Sequence, residues 1–230
     1  MQIECWRKGS DEKCLESIKI ERCEYFRRFW ALCFFCAFLC SMASALDRDR
    51  TLTQLHHTAW TAKDGAPSQI TALAQTANGY LWIGSTRGLF RFDGVEFEPY
   101  VPPAGASLAG HNIIALLSTP YGGLWIAFSS SGVVFLKDGN IKVFSRPEEL
   151  PKSEIFCLAQ DADGRIWAGT LRGLALFDGA RWIEIDSDWN LSNQRVWSMF
   201  TDRDGTFWVA MNDTIAFLPR GSKSFQYLGI

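Results

Sequence analysis

The residue types that most often do chemistry are sparse in this chain. It has three histidines, His56, His57 and His111. The first two are adjacent, so on an extended strand they point to opposite faces, poor geometry for a shared metal. His111 falls in the loop sequence VPPAGASLAGHN. Six of the seven cysteines (Cys5, Cys14, Cys23, Cys33, Cys36 and Cys40) precede residue 46, which leaves Cys157 alone in the remainder and excludes a disulfide framework there. Cys33-x-x-Cys36 sits inside an apolar run with no second pair nearby and reads as two small hydrophobes. Gly-x-Ser-x-Gly, His-Glu-x-x-His and phosphate-cradling glycine loops are all missing from the sequence. Asp161-x-Asp163-Gly164 and Asp202-x-Asp204-Gly205 look superficially like calcium loops. They lack a distal bidentate carboxylate, and turn formation already accounts for them. No catalytic residue, metal or cofactor is therefore expected. With a formal charge of −2 and no basic cluster, nucleic acid is not an expected partner.

Arginine is the residue placed for recognition. Arg87 in STRGL and Arg172 in TLRGL occupy the same place in two related stretches. A guanidinium suits carboxylates by bidentate hydrogen bonding and stacks on flat rings. With Asn212, His111 and Trp189 these arginines form the expected ligand-binding set, its ligand a small-molecule signal such as a carbohydrate bearing an acid group. A structural role, in which each arginine bonds backbone carbonyls of its neighbour, is the competing expectation.

What positions these residues is a repeat. Leu81-Trp82-Ile83-Gly84 returns as Leu124-Trp125-Ile126-Ala127, Ile166-Trp167-Ala168-Gly169 and Phe207-Trp208-Val209-Ala210, at separations of 43, 42 and 41 residues. Each copy opens on a short apolar run (ITALAQ, IIALLS, IFCLAQ, VWSMFT) and a turn rich in Gly, Asn or Asp. The tryptophan strand, a short link, a third run, a second turn and a fourth run complete the unit. Four short hairpin-linked strands every ~40–45 residues make one propeller blade. The sequence thus predicts an all-β chain with blades at about 70–100, 112–144, 155–185 and 196–228. Trp82, Trp125, Trp167 and Trp208 are expected in the wedge between blades, as core and not as a ligand ladder. A lone outer strand is expected over His57–Thr61. It has no vacancy to fill within four blades, so the propeller is expected to be incomplete. Arg87 and Arg172 then share the rim formed by the links between second and third strands.

Residues 1–45 form a separate N-terminal extension. Arg27-Arg28, the apolar run 29–40 and Ala43-x-Ala45 follow the pattern of a secretory signal with cleavage before Leu46. Export to the periplasm is expected, with an uncleaved inner-membrane anchor as the alternative.

The first and third copies, Ile70–Gly94 and Ile155–Gly179, closely resemble the two-component regulator propeller repeat, and the second and fourth resemble it more loosely. The likeness extends over about residues 55–230. It implies part of a seven-bladed propeller in the periplasmic region of a bacterial sensor, with further blades or a sensor kinase as partners. Kinase or cyclase output is implied only for longer relatives, since this sequence shows no phosphoacceptor histidine region and no ATP-binding glycine boxes. Two other classes stay open: a propeller enzyme of lyase or glycosidase type, and a protein-interaction scaffold.

Overall fold

The computed structural model describes residues 58–129, 132–145, 149–151, 153–185 and 187–229. The N-terminal extension, its signal pattern and His56 and His57 lie outside them. Among the described residues no helix is long and apolar enough to cross a membrane.

Four antiparallel four-stranded sheets follow one another along the chain. Blade one holds β1 (Ile70–Gln75), β2 (Leu81–Ser85), β3 (Gly88–Phe92) and β4 (Phe97–Pro99). Blade two holds β5 (Ile113–Ser118), β6 (Leu124–Phe128), β7 (Gly132–Lys137) and β8 (Asn140–Phe144). Blade three holds β9 (Ile155–Gln160), β10 (Ile166–Thr170), β11 (Gly173–Phe177) and β12 (Trp182–Glu184). Blade four holds β13 (Val196–Thr201), β14 (Phe207–Met211), β15 (Ile215–Leu218) and β16 (Gln226–Tyr227). Strands pair in sequence order within each sheet, so every connection is a hairpin. The first strands β1, β5, β9 and β13 pack one against the next, and the row of sheets does not close. The chain is an incomplete propeller.

The apolar alternation of each tryptophan strand sorts its side chains between two neighbouring blades. The tryptophan faces forward, and the residues on either side of it face back. Trp82 therefore clusters with Ile113, Leu124 and Ile126 of blade two. Trp125 clusters with Ile155, Ile166 and Ala168 of blade three. Trp167 clusters with Val196, Phe207 and Val209 of blade four and stacks on Phe207 at 5.4 Å. These three rings are 8%, 4% and 0% exposed. Trp208 departs from the expected burial. With no blade ahead of it the ring stays partly exposed and packs on Phe217 at 5.1 Å within its own sheet.

The small residue after the tryptophan answers to space alone. A Cβ at Gly84 would lie 2.6 Å from Ile113 Cγ2, and one at Gly169 would lie 2.5 Å from Cys157 Sγ and 2.7 Å from Val196 Cγ1. Cys157 is packed here as a hydrophobe, and burial pushes its thiol up to about 11, so little thiolate forms near neutrality.

The turn aspartates also do more than turn. Asp161 Oδ1 accepts the backbone N–H groups of Asp163 and Arg165, while Oδ2 accepts the Trp167 indole N–H at 2.7 Å. Asp202 repeats this on Trp208 at 2.7 Å, and in blade one Thr76 Oγ1 accepts from Trp82 at 3.0 Å. The six-residue step from turn to tryptophan is visible in the sequence; the hydrogen bond that uses it is not.

The expected outer strand over 57–61 does not form across its described part, Thr58–Thr61. Instead Thr61 and Asp64 cap a single 3-10 turn, Ala62–Asp64, through Thr61 N to Asp64 Oδ2 at 2.7 Å and Lys63 N to Thr61 Oγ1 at 3.2 Å. Trp60 lies edge-on to Phe92 at 4.9 Å. The chain turns here, with Ala66 N donating to Thr61 O at 3.1 Å, and Trp60 packs on Phe92 and Phe97 through its ring instead of pairing along the sheet edge.

Candidate functional site

The rim carrying the two arginines is built from hairpin links locked from beneath. β2 and β3 are joined by Thr86-Arg87, and β10 and β11 by Leu171-Arg172. At the first link the buried Ser85 hydroxyl donates to Gly88 O at 3.0 Å and accepts from Arg87 N at 3.1 Å. At the second, the buried Thr170 hydroxyl donates to Gly173 O at 3.0 Å and accepts from Arg172 N at 3.1 Å. Gly88 and Gly173 sit at φ +126° and +105°, where a side chain would be strained. Each link is thus fixed at both ends, and its arginine is left pointing into solvent. Neither guanidinium bonds a described residue. The competing expectation, a bond to backbone carbonyls of the next blade, is not what the structure contains among the described residues.

Around Arg172 the loop leading into blade four comes close. A Cβ on Gly173 would lie 3.6 Å from Asn193 Oδ1 and 3.7 Å from Ser192 O. The same loop holds three buried polar atoms with no hydrogen-bond partner: Ser192 Oγ, Gln194 Oε1 and Arg195 Nε. The Arg195 guanidinium is held between the rings of Phe156 at 4.0 Å and Trp197 at 3.8 Å. Trp197 donates its indole N–H to Asn212 Oδ1 at 2.9 Å, which ties Asn212 to this loop. Arg195 and Trp197 were not among the expected site residues. The available signal was that Gln69, Asn112, Glu154 and Arg195 place a polar residue just before the first strand of every copy.

Two expected members do not join Arg172. His111 is exposed in the loop between blades one and two, beside Asn112, whose Nδ2 donates to Ser129 Oγ at 3.1 Å. Trp189 ends a 3-10 turn (Ser187–Trp189) and packs inward, 5.4 Å from Trp167 and 5.8 Å from the Arg165 guanidinium. Arg165 belongs to the turn that opens β10, whereas Arg172 follows its end, so Trp189 lies at the opposite end of the blade. Its large ring is worth more as packing against Trp167 than on an exposed rim.

At that opposite end, between blades one and two, a cavity of about 550 Å³ is lined by Trp82, Tyr100, Tyr121, Arg91 and Asn78, among others. At the same end of blade three, Arg165 Nε bonds Asp161 Oδ2 at 2.6 Å. Among the described residues no group of three or more His, Cys, Asp or Glu is placed to hold a metal.

Sequence and structure comparisons agree with this geometry. The two-component regulator propeller model matches residues 64–87, 149–172 and 190–213. Each match runs through a tryptophan strand into the link that follows it. This chain carries two-component regulator propeller repeats. Of the two copies with the looser resemblance, the fourth is matched and the second is not. No curated protein sequence matches the chain. Among solved structures, the extracellular domain of the hybrid two-component system BT3049 from B. thetaiotaomicron aligns with TM-score 0.61 and 17% identity, over 75% of this chain and 26% of that one. The extracellular domain of BT4673 from the same organism aligns with TM-score 0.54 and 24% identity, over 67% and 22%. Virginiamycin B lyase from Staphylococcus aureus aligns with TM-score 0.55 and 16% identity, over 71% and 56%. At these identities the likeness is one of fold, shared by sensor domains and an enzyme. The propeller-repeat chain spans about a quarter of the length of the two sensor domains.

Proposed function

We propose that the propeller repeats of this chain form the sensing part of an exported two-component signalling protein, and that they bind a small acidic ligand on the rim bearing Arg87 and Arg172. The observation that carries this is the pair of exposed guanidinium groups, each held out on a hairpin link fixed by a buried hydroxyl and a positive-φ glycine. A guanidinium presented on a backbone fixed in this way matches a carboxylate by two parallel charge-assisted hydrogen bonds. In this reading the ligand is a sugar acid, the protein works in the periplasm after removal of residues 1–45, and its signal passes to further blades or a sensor kinase.

Calorimetric titration with glucuronate and galacturonate tests the site. Arg172→Ala and Arg87→Ala should each weaken binding about tenfold or more, the loss of one charge-assisted contact, with the melting temperature nearly unchanged because both side chains are exposed. Undiminished binding in both variants, or a drop in melting temperature without loss of affinity, refutes the assignment. Intact mass of protein recovered from the periplasm tests export: a mature N-terminus at Leu46 is expected, and retention of Met1–Ala45 favours an anchored form.

A further inference from the structure

The wedges between neighbouring blades are not filled alike. Between blades two and three, Phe177 and Trp182 of blade three close on Trp125 at 4.8 and 5.5 Å. Between blades three and four, Phe207 and Phe225 of blade four close on Trp167 at 5.4 and 6.1 Å. Strand register places Leu136 where Phe177 stands and Ile141 where Trp182 stands, so blade two brings Trp82 aliphatic side chains at both positions. Among the described residues, the ring packed on Trp82 is Tyr100 of its own blade, edge-on at 5.4 Å. The cavity of about 550 Å³ lies beside this indole, with Leu136 in its wall. Small-molecule sites span ~300–1,000 Å³. Both blades that enclose this cavity are present, so it does not arise from the open ends of the row.

The same wedge carries cations that the other blades lack. The residue paired across from the repeat tryptophan is Phe135 in blade two, Leu176 in blade three and Phe217 in blade four, but Arg91 in blade one. Phe92, Phe177 and Leu218 are followed by Asp93, Asp178 and Pro219, but Leu136 is followed by Lys137. Arg91 and Lys137 line the cavity from opposite blades, and Asp138 is the one acidic side chain in the lining. Glu98 Oε2 accepts from Arg91 Nε at 2.6 Å, which orients the guanidinium and leaves its two terminal amino groups for a ligand. Lys137 has no ion pair among the described residues. Between blades three and four, Arg220 reaches across to Asp163 at 3.6 Å. Asp138 and Asn78 take those two places between blades one and two, and no ion pair joins them across the cavity.

We propose that this cavity is a second binding site, at the end of the blades away from the Arg87 and Arg172 links, and that its ligand is a small aromatic carboxylate. The next wedge shows what fills such a space: an aromatic ring set edge-on to the repeat tryptophan. The ligand's ring takes the place on Trp82 that Trp182 takes on Trp125. Its carboxylate lies between Arg91 and Lys137, held by charge-assisted hydrogen bonds.

Calorimetric titration of the full chain with indole-3-acetate, and with indole as its uncharged counterpart, tests this. Indole-3-acetate should bind with a sub-millimolar Kd, and indole about tenfold more weakly for want of the charged contact. Arg91→Gln and Lys137→Gln should each weaken indole-3-acetate binding by about fivefold to tenfold and leave indole binding unchanged. Leu136→Phe puts the ring of blade three into the cavity and should abolish binding of both probes with no fall in melting temperature. Ile141→Trp repeats that measurement if Leu136→Phe unfolds. Arg172→Ala, at the far end of the blades, should bind indole-3-acetate as the wild type does, which keeps this site distinct from the arginine rim. No binding of indole-3-acetate at about 1 mM overturns the proposal. So do equal affinities for the two probes, unchanged affinity in either glutamine variant, binding that survives the filled cavity, or loss of binding in Arg172→Ala.

Discussion

Asp161→Ala and Asp202→Ala remove the same carboxylate from the same position of adjacent repeats, and the structure predicts unequal costs. Asp161 is buried, and its Oδ2 holds both the Trp167 indole N–H at 2.7 Å and Arg165 Nε at 2.6 Å. Trp167 is fully buried, so no water reaches its N–H once the carboxylate has gone. An orphaned buried donor costs about 1–3 kcal/mol. Arg165 is a quarter exposed and turns to solvent, so loss of its ion pair adds little. Asp161→Ala should therefore destabilise by about 2–4 kcal/mol, combining the orphaned donor with the turn N–H groups that Oδ1 also serves. Asp202 makes the equivalent bond to Trp208, but that ring is partly exposed and water replaces the acceptor. Its loss should cost about 0.5–1.5 kcal/mol. For a domain of this size the difference corresponds to a gap of roughly 3–10 °C between the two melting temperatures. Urea unfolding followed by tryptophan fluorescence, with thermal melts beside it, measures both. Equal losses, or a greater loss for Asp202→Ala, would refute the argument that burial of the indole decides the cost.

Two further outcomes follow from the packing and the turns. Gly169→Ala places a methyl 2.5 Å from Cys157 Sγ and 2.7 Å from Val196 Cγ1 and should destabilise by about 1–3 kcal/mol, with partial recovery in the Gly169→Ala, Cys157→Ala double variant; additive losses in denaturant melts would count against the clash. In acid, the turn N–H groups of Glu96 and Val95 hold the Asp93 carboxyl below its usual range, those of Arg181 and Ala180 do so for Asp178, and the Trp208 indole does so for Asp202. A lowered folded-state value gives stability that is present above the unfolded value of about 4 and lost as pH falls through the folded one, so melting temperature should hold down to about pH 5 and drop below pH 4. A melting temperature indifferent to pH between 5 and 3 would contradict it.

The blade plan was legible because a propeller repeats its physics. Each blade meets the next through the same contact, so Trp82, Trp125 and Trp167 recur in one apolar frame and the turns recur around them. Local chemistry was legible for the same reason: a residue such as Gly88 or Gly173, at positive φ just after an arginine, writes its backbone requirement into its own type. What the sequence could not determine was the environment of any one copy. Trp208 stands in the same frame as the others yet stays partly exposed, because burial depends on what lies ahead of the blade. Trp189 and Arg172 looked like members of one rim, but Trp189 turns inward to Trp167 at the other end of the blade, where its ring buries more apolar area. Arg195, gripped between Phe156 and Trp197, draws those partners from two different blades, a pairing that spacing along the chain cannot encode. Hairpin strands and turns are set by neighbours a few residues apart, and the sequence determines them. Which side chains meet across a blade boundary is set by the stacking of one sheet on the next, and only the tertiary structure decides it.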